Sequence, residues 1–239
     1  PSDVNDLSDH LETELFMGDI PVMIVEPTRL IGWGRIIKRL FDIVASFFAI
    51  IILSPVFLLV FIAEKLTDHK VSAIFHQVRL TRGDQLFTLY KFRTQYAKYD
   101  GTTPEQAFKR MGKPELIDKY RANGDFLDDD PRVTPIGRYL RRFSLDELPQ
   151  LFNVLKGDIS LVGPRALIPQ ELNRYEQKHK ILNVKSGITG LAQISGRRDL
   201  PWEQRRKLDI YYVQNWSFGL DIQILFKTVR QVFTSRGAV

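Results

Sequence analysis

The longest apolar run in the chain covers residues 43–63, where 21 consecutive positions carry no charged side chain. A helix that crosses a bilayer needs about 20 such residues, so the length of this run predicts a membrane helix. Ser54 and Pro55 lie near its middle. Proline removes a backbone donor, so we expect the helix to break there, and the Ser54 hydroxyl can bond a carbonyl that the break frees.

Basic residues flank this run on both sides: Arg35, Lys38 and Arg39 precede it, and Lys65 and Lys70 follow it. A single span usually has more basic residues at one end than at the other. Basic residues at both ends favour a re-entrant hairpin that enters and leaves the membrane by one face. A kinked single span and the core helix of a soluble protein stay open as alternatives.

Shorter patterns predict the other elements. Residues 73–93 hold two β-prone runs separated by a turn at 81–84, which predicts a hairpin. The apolar run 20–25 predicts a strand for which no partner strand is evident nearby. Residues 203–233 have helical periodicity, with Leu220, Ile224 and Val229 among the residues on one apolar face. That face is suited to core packing or to a membrane interface.

Charge and composition narrow the function classes only moderately. The chain has 34 basic and 28 acidic residues, a net charge of +6 and a pI near 9.5. This balance suits a nucleic-acid binder, a protein on an anionic membrane or an enzyme for phosphorylated substrates. The apolar run disfavours nucleic acid, so no nucleic-acid partner is predicted. The absence of cysteine excludes disulfides and thiol catalysis, and the four histidines have no metal-ligand spacing.

The adjacent acids Asp146 and Glu147 are the candidate chemical centre. On a helix their side chains point about 100° apart, so one can attack a substrate while the other holds a cation or a proton. Ser144 precedes Glu147 by three residues, which is also the spacing of a capping box. The local pattern therefore has a structural explanation as well as a functional one.

Arginines surround the two acids in sequence, with Arg141 before them and Arg165 in a Gly-Pro-Arg turn after them. Arginine matches the geometry of phosphate oxygens, and a Gly-Pro turn fixes the direction of the next side chain. Beside a membrane segment, this combination indicates a phosphorylated substrate held partly by Mg²⁺. No Walker loop, kinase signature or GxGxxG motif is present, which disfavours an ordinary NTPase. The alternative explanation of these arginines and acids is a cluster of surface salt bridges without a catalytic function.

Several longer motifs resemble the bacterial sugar transferase family, the monotopic phosphoglycosyl transferases. They are HQVRLTRGDQLFTLYKFRT (76–94), DPRVTPIGRYLRRFSLDELPQLFNVLKGDISLVGPR (130–165) and SGITGLAQISGR (186–197), with KRLFDIVAS (38–46) before them. The resemblance covers roughly residues 35–235, with the motifs in the family's order. In particular, the motifs resemble those of enzymes that initiate exopolysaccharide or O-antigen synthesis by transferring galactose-1-phosphate or glucose-1-phosphate.

The resemblance implies a two-step reaction. Asp146 would attack the β-phosphorus of a UDP-sugar, releasing UMP and leaving a phosphosugar on its carboxylate. Undecaprenyl phosphate would then accept the phosphosugar, and Glu147 would ligate Mg²⁺. The family pattern places Arg141 and Arg165 around phosphates. Four further residues are implied for the substrate pocket: Lys91, Arg93, Gln193 and Arg197.

Four positions depart from the family pattern: Gln95, Phe143, Ala166 and Ser186. None of them touches the acid pair in sequence. We expect them to affect the lipid-facing turn or the choice of sugar.

The expected architecture is α+β and predominantly helical, with a broken re-entrant membrane helix, interfacial amphipathic helices and a small β-hairpin around the active site. Residues 1–34 are expected to be the tail of a preceding domain, 35–70 the helix-break-helix, and 71–239 a catalytic domain on the cytoplasmic face of the bacterial inner membrane. A UDP-sugar, a polyprenyl phosphate and membrane lipids are the expected partners, and a homodimer stays open. The competing function is a non-catalytic scaffold of a polysaccharide-assembly complex, which the presence of both acids disfavours.

Overall fold

The computed structural model describes residues 11–16, 20–25, 28–67, 69–122, 127, 129–169, 178–196 and 200–234. Helices predominate, and the strands form three two-stranded sheets. The helices are α1 (Trp33–Thr67), α2 (Pro104–Arg110), α3 (Glu115–Ala122), α4 (Pro135–Arg142), α5 (Gln150–Lys156), α6 (Lys178–Leu182), α7 (Leu191–Ser195), α8 (Trp202–Gln214) and α9 (Phe218–Thr234). The strands are β1 (Leu11–Phe16), β2 (Ile20–Val25), β3 (Ile74–Leu80), β4 (Leu86–Phe92), β5 (Ser160–Val162) and β6 (Gly187–Thr189). The expected α+β, mostly helical class is confirmed.

Helix α1 exposes apolar side chains and buries polar ones. In the part of the chain that the structure describes, it is the one helix long and apolar enough to cross a membrane, and its most apolar stretch of 18 residues has a mean hydropathy of 2.8. Only 11% of that apolar stretch is buried, so the core-helix alternative is wrong. Its exposed stripe includes Leu40, Phe47 and Ile52, while Lys38 and Glu64 are buried. A soluble helix has the opposite arrangement, so α1 indicates association with a membrane.

The helix continues through the predicted break. Pro55 lies inside α1, and no separate second helix follows it in the described stretch 28–67. Pro55 has no N–H for the carbonyl of Ile51, four residues earlier, and the Ser54 hydroxyl donates to that same carbonyl at 2.8 Å. Because the lost donor is replaced, helical geometry persists where two helices were expected. The re-entrant path itself stays a prediction.

Both halves of α1 pack on the rest of the chain. Near its start, the Arg39 guanidinium donates to the carbonyl oxygens of Val154 and Leu155 at 2.5 and 2.8 Å. Beyond the proline, the ring of Phe57 lies edge-on to the ring of Phe152, with 5.7 Å between their centroids. All three of these partners belong to α5, the helix that follows the acid pair.

The predicted hairpin is confirmed as the antiparallel pair β3–β4, paired from Leu80↔Leu86 to Ile74↔Phe92. A short 3₁₀ turn (Arg82–Asp84) joins the two strands, and Gly83 has a φ of +66° there. The prediction that strand 20–25 has no partner is wrong, because β1 pairs with it antiparallel. Glutamates alternate through β1 (LETELF), which hid its strand pattern in the sequence.

Glycines allow β5 and β6 to approach very closely. A Cβ added to Gly187 would lie 2.1 Å from the nitrogen of Gly163, and one added to Gly190 would lie 2.1 Å from the Gly163 carbonyl oxygen. Any side chain at these positions would collide with backbone. The glycines of the GPR and GITG motifs therefore allow β5 and β6 to pair in parallel at this short distance.

Two of the departures from the family pattern fasten this pair to the hairpin. The Ser186 hydroxyl donates to the carbonyl of Leu80 at 3.1 Å, and the carbonyl of Ala166 accepts from the Arg79 guanidinium at 3.0 Å. Both residues are buried.

The C-terminal periodicity corresponds to two helices, α8 and α9, rather than one. Ile224 is completely buried in the main core with Tyr212 and Val154, which agrees with the core-packing alternative for that face. Val229, assigned to the same face, is 54% exposed, and Phe226 is 73% exposed. The apolar residues of α9 thus cover two faces, one on the core and one at the surface.

Candidate active site

A tight reversal of the chain presents the two acids. Helix α4 begins at a Thr134 cap, whose hydroxyl accepts from the N–H of Gly137 at 2.9 Å. After α4 ends, Ser144 adopts a left-handed conformation with φ +54°, and Asp146 and Glu147 follow in a 3₁₀ turn (Leu145–Glu147). A serine in this conformation costs on the order of 1 kcal/mol, and such strain is common at functional sites.

The capping-box explanation of Ser144 and Glu147 is wrong. The Ser144 side chain makes no capping hydrogen bond, because its left-handed backbone does not have the extended geometry of an N-cap. A capping box does occur elsewhere, where Thr103 and Gln106 bond reciprocally at the start of α2. The acid pair is therefore not explained by helix capping.

Strand β4 brings Lys91 to the acids. The Lys91 ammonium lies 2.8 Å from the Glu147 carboxylate, and both side chains are partly exposed. The Asn153 side chain fixes this arrangement from α5, since it accepts from the N–H of Tyr90 at 3.0 Å and donates to the carbonyl of Thr88 at 2.7 Å. These two bonds hold β4 against α5, the helix that begins just after Glu147.

Asp146 is a partly buried carboxyl group among charges. Burial raises its pKa from 3.8 to about 6, and the negative charge of Glu147 acts in the same direction. The positive charges of Lys91 and Arg141 oppose this rise. Electrostatics thus link Asp146 to three other residues that the sequence assigned to the site.

Arg141 reaches the site from α4. Its Nε donates to the Thr94 hydroxyl at 3.0 Å. Burial lowers the pKa of Arg141, while the negative charges of Asp146 and Asp130 oppose that effect. Arg141 stays protonated, since an arginine side chain does not lose its proton in proteins. It therefore places a fixed positive charge near Asp146.

Arg93 is held in a different set of contacts. Its guanidinium donates to the Asp100 carboxylate at 2.6 and 2.7 Å and to the Ser72 carbonyl at 2.8 Å. These bonds tie the end of β4 to the segment that follows α1. They give Arg93 a structural role, and its assignment to the substrate stays a prediction.

Arg165 and Gln193 lie with the β5–β6 pair. Arg165 is exposed and lies near the buried carboxyl of Asp209. Burial raises the pKa of Asp209 to about 6, and the positive charges of Arg206 and Arg165 oppose this rise. Gln193 lies on α7, and its Oε1 is buried without a hydrogen-bond partner among the residues described. Arg197 lies outside the described residues. The two acids, Lys91 and Arg141 thus lie together, whereas Arg165 and Gln193 lie at the β5–β6 pair.

Thr94 and Asn153 support the site, and sequence reasoning did not single them out. Thr94 anchors Arg141, and its backbone passes so close to α4 that a Cβ on Gly137 would lie 2.2 Å from its carbonyl. Asn153 is completely buried. The available signals were the Thr that ends the KFRT motif and a polar residue within the apolar stretch LFNVL.

The acids can accept Mg²⁺ only together with other ligands. Across the described ranges, no group of three or more His, Cys, Asp or Glu side chains could enclose a metal. Mg²⁺ commonly uses one or two protein carboxylates and completes its shell with water and substrate phosphates. The partly exposed Glu147 beside Asp146 fits that arrangement.

The sequence of this chain is similar to those of known proteins. Residues 33–235 match the family described as Bacterial sugar transferase. The undecaprenyl-phosphate galactose phosphotransferase of Salmonella typhimurium is 43% identical over 207 residues, which are 86% of this chain and 42% of that protein. The exopolysaccharide production protein ExoY of Rhizobium meliloti is 41% identical over 206 residues, 86% of this chain and 89% of that protein.

A third similar protein is the undecaprenyl-phosphate glucose phosphotransferase of Komagataeibacter xylinus, 36% identical over 238 residues. The match covers 92% of this chain and 40% of that protein. The chain therefore spans less than half of the two phosphotransferases and most of ExoY.

Proposed function

Because the chain belongs to the bacterial sugar transferase family, we propose that it transfers a hexose-1-phosphate from a UDP-sugar to undecaprenyl phosphate and releases UMP. UDP-galactose and UDP-glucose are the favoured donors, since similar proteins are named as galactose and glucose phosphotransferases. The product would start an exopolysaccharide or O-antigen. The observation that carries the proposal is the partly buried Asp146 carboxyl beside Lys91, Arg141 and Glu147.

The first step forms a covalent intermediate on Asp146. A carboxylate oxygen attacks the β-phosphorus, and the bond from that phosphorus to the bridging oxygen breaks. UMP departs with the electron pair, and the sugar phosphate stays as an acyl phosphate on Asp146. In the second step a phosphate oxygen of undecaprenyl phosphate attacks the same phosphorus and displaces the carboxylate. Two moderate barriers then replace one high barrier.

Positive charges make the first step feasible, because an anionic nucleophile must approach a diphosphate. Lys91 and Arg141 supply two such charges near Asp146. Glu147 would hold Mg²⁺ together with the donor's phosphate oxygens. When bound, the metal offsets negative charge on the diphosphate and on the departing UMP.

The exposed apolar face of α1 supports a location at the membrane surface. The donor is water-soluble and the acceptor is a lipid, so the two can meet only at that interface. We assign the acid pair to the cytoplasmic face of the bacterial inner membrane, where nucleotide sugars are present.

Substitution of Asp146 tests the covalent step directly. In nanodiscs, Asp146→Asn is expected to lower UMP release from the UDP-sugar by at least about 10³-fold, because an amide is a poor nucleophile. The wild-type protein should release UMP without any acceptor and carry one labelled phosphosugar per chain. The matched control Asp118→Asn makes the same change on the exposed face of α3 and should keep full activity.

Two results would contradict this proposal in different ways. Full turnover by Asp146→Asn would remove Asp146 as the nucleophile. Normal polymer production by the double variant Asp146→Asn/Glu147→Gln would instead favour the non-catalytic scaffold.

A further inference from the structure

A basic pocket lies at the opposite ends of β4 and α5 from the acid pair. Its volume is about 320 Å³. Arg82 in the hairpin turn and Leu86 at the start of β4 form one side. Lys156 and Gly157 at the end of α5, together with Lys185 before β6, form the other side. Lys91 and Glu147 lie at the end of β4 and just before α5, so the two sites are distinct.

Positive charge predominates in this pocket. Arg82, Lys156 and Lys185 line it, and Asp158 provides the opposing charge at 3.5 Å from the Lys156 ammonium. Arg39 stands directly beside it, since a Cβ on Gly157 would lie 3.1 Å from its guanidinium. The four cations repel each other, Asp158 and the nearby Asp42 offset part of this repulsion, and a bound anion would offset more of it.

Lys185 is the most enclosed cation of the pocket. Its ammonium donates to the carbonyl of Gly157 at 2.6 Å, which uses one of its three N–H groups. Burial lowers the pKa of Lys185, and the charges of Arg39 and Arg82 lower it further. A phosphate in the pocket would reverse this effect by stabilising the ammonium form.

The position of Arg39 relates the pocket to the membrane. Arg39 belongs to α1 and precedes the apolar run 43–63 by four residues. The neighbouring Ile36 and Leu40 are 57% and 62% exposed, so the apolar face of the helix is already present at this level. Basic residues next to a membrane segment lie at the depth of the lipid phosphates.

We propose that this pocket binds the phosphate of an anionic membrane lipid and so holds the domain against the headgroups at the start of α1. The exposed Leu86 at its edge offers an apolar contact for the lipid's glycerol and chains. The inference rests on the pocket and on α1, and it does not depend on the chemistry of Asp146.

Matched double variants in nanodiscs test the assignment. The chain is placed in a mixture of phosphatidylglycerol and phosphatidylcholine, and native mass spectrometry counts the phosphatidylglycerol retained per chain. Arg82→Gln/Lys156→Gln should lower that retention about tenfold, because each basic residue near an anionic surface contributes attraction. Lys109→Gln/Arg110→Gln removes the same charge from exposed positions on α2 and should change retention by less than about twofold.

An equal loss in the two double variants would overturn the proposal, since it would show diffuse attraction rather than a pocket. Failure of the wild-type chain to retain phosphatidylglycerol above phosphatidylcholine would overturn it as well.

Chemical footprinting of the wild-type chain supplies a test without substitutions. An amine-acetylating reagent should modify Lys185 about tenfold more slowly in phosphatidylglycerol nanodiscs than in phosphatidylcholine nanodiscs, with Lys109 unchanged. If inorganic phosphate in phosphatidylcholine nanodiscs protects Lys185 equally well, the ligand is a soluble phosphate and the lipid assignment is wrong.

Discussion

The carboxyl group of Asp146 experiences two opposing effects. Burial favours its neutral form, while the charges of Lys91 and Arg141 favour its ionised form. The balance leaves a pKa of about 6. At this value the carboxylate is the main form at neutral pH, and it is a better nucleophile than a carboxylate of ordinary pKa because basicity and nucleophilicity rise together.

The pH dependence of UMP release should follow this carboxyl group. Because the attacking form is the deprotonated one, the rate should fall as the pH drops through about 6, by tenfold for each further unit. Lys91→Met removes a charge that lowers the pKa of Asp146, so the acidic limb should move to higher pH. Single-turnover UMP release between pH 4.5 and 8.5 measures both curves.

Lys98→Met removes a lysine that contacts Tyr96 and Tyr99 instead of the acids, and it should leave the profile unchanged. A Lys91→Met profile that is lowered uniformly, with no displacement along the pH axis, would show that Lys91 does not control the ionisation of Asp146.

Residue types in motifs predicted the centre of the site but not its supports. Asp146, Glu147 and Arg141 were singled out from the residues themselves, the family pattern added Lys91, and the structure brings all four together. The left-handed Ser144 was missed, since its position before a Glu has the same spacing as an ordinary helix cap. Backbone conformation at one residue depends on the helices on either side, and spacing alone does not contain that information.

At the scale of elements, a buried polar cluster fastens α1 to α9. The Lys38 ammonium lies 2.6 Å from the Asp221 carboxylate, and both side chains are buried. Tyr212 and Trp216 donate to the same carboxylate at 2.7 and 3.0 Å. Asp221 thus accepts from three side chains, one of which belongs to the membrane-associated helix.

Removing the Lys38 charge should loosen this attachment. Lys38→Met leaves a buried carboxylate without its cation, which typically costs about 3 to 5 kcal/mol and should lower the thermal midpoint in detergent by about 10 °C. Arg138→Met breaks the exposed pair with Asp129 and should shift the midpoint by less than about 2 °C. Equal midpoints for Lys38→Met and the wild-type protein would mean that the cluster does not hold the two helices together.

Elements with strong local patterns were predictable, and those formed by distant contacts were not. The hairpin β3–β4 follows from two β-prone runs and a Gly-Asp turn. The pair β5–β6 has only three residues in each strand. Its glycines are required because another backbone segment passes very close to them, and the sequence alone does not show that contact. The continuity of α1 at Pro55 likewise depended on one hydroxyl replacing one lost donor.

At the scale of the whole molecule, contacts in both halves of α1 restrict its path through a membrane. Lys38 bonds Asp221 on α9, and Phe57 packs on Phe92 of β4 and Phe152 of α5. These partners belong to one body that carries charged and polar groups. If α1 crossed the bilayer, its two halves would be spread across about 30 Å of hydrocarbon. The body that packs on both halves would then have to lie within the hydrocarbon with its charged and polar groups. The contacts therefore argue against a single span, and the re-entrant path with both ends on one face stays a prediction.

A labelling experiment decides between the two paths, since the chain has no cysteine of its own. Ile31→Cys and His69→Cys introduce exposed thiols just before and just after α1. On a re-entrant path, a membrane-impermeant maleimide should label both in inverted inner-membrane vesicles and neither in intact spheroplasts. Asp118→Cys reports the side of the catalytic body and should match them. If Ile31→Cys were labelled from the opposite side to His69→Cys, α1 would be a single span, and its polar face would then lie within the bilayer.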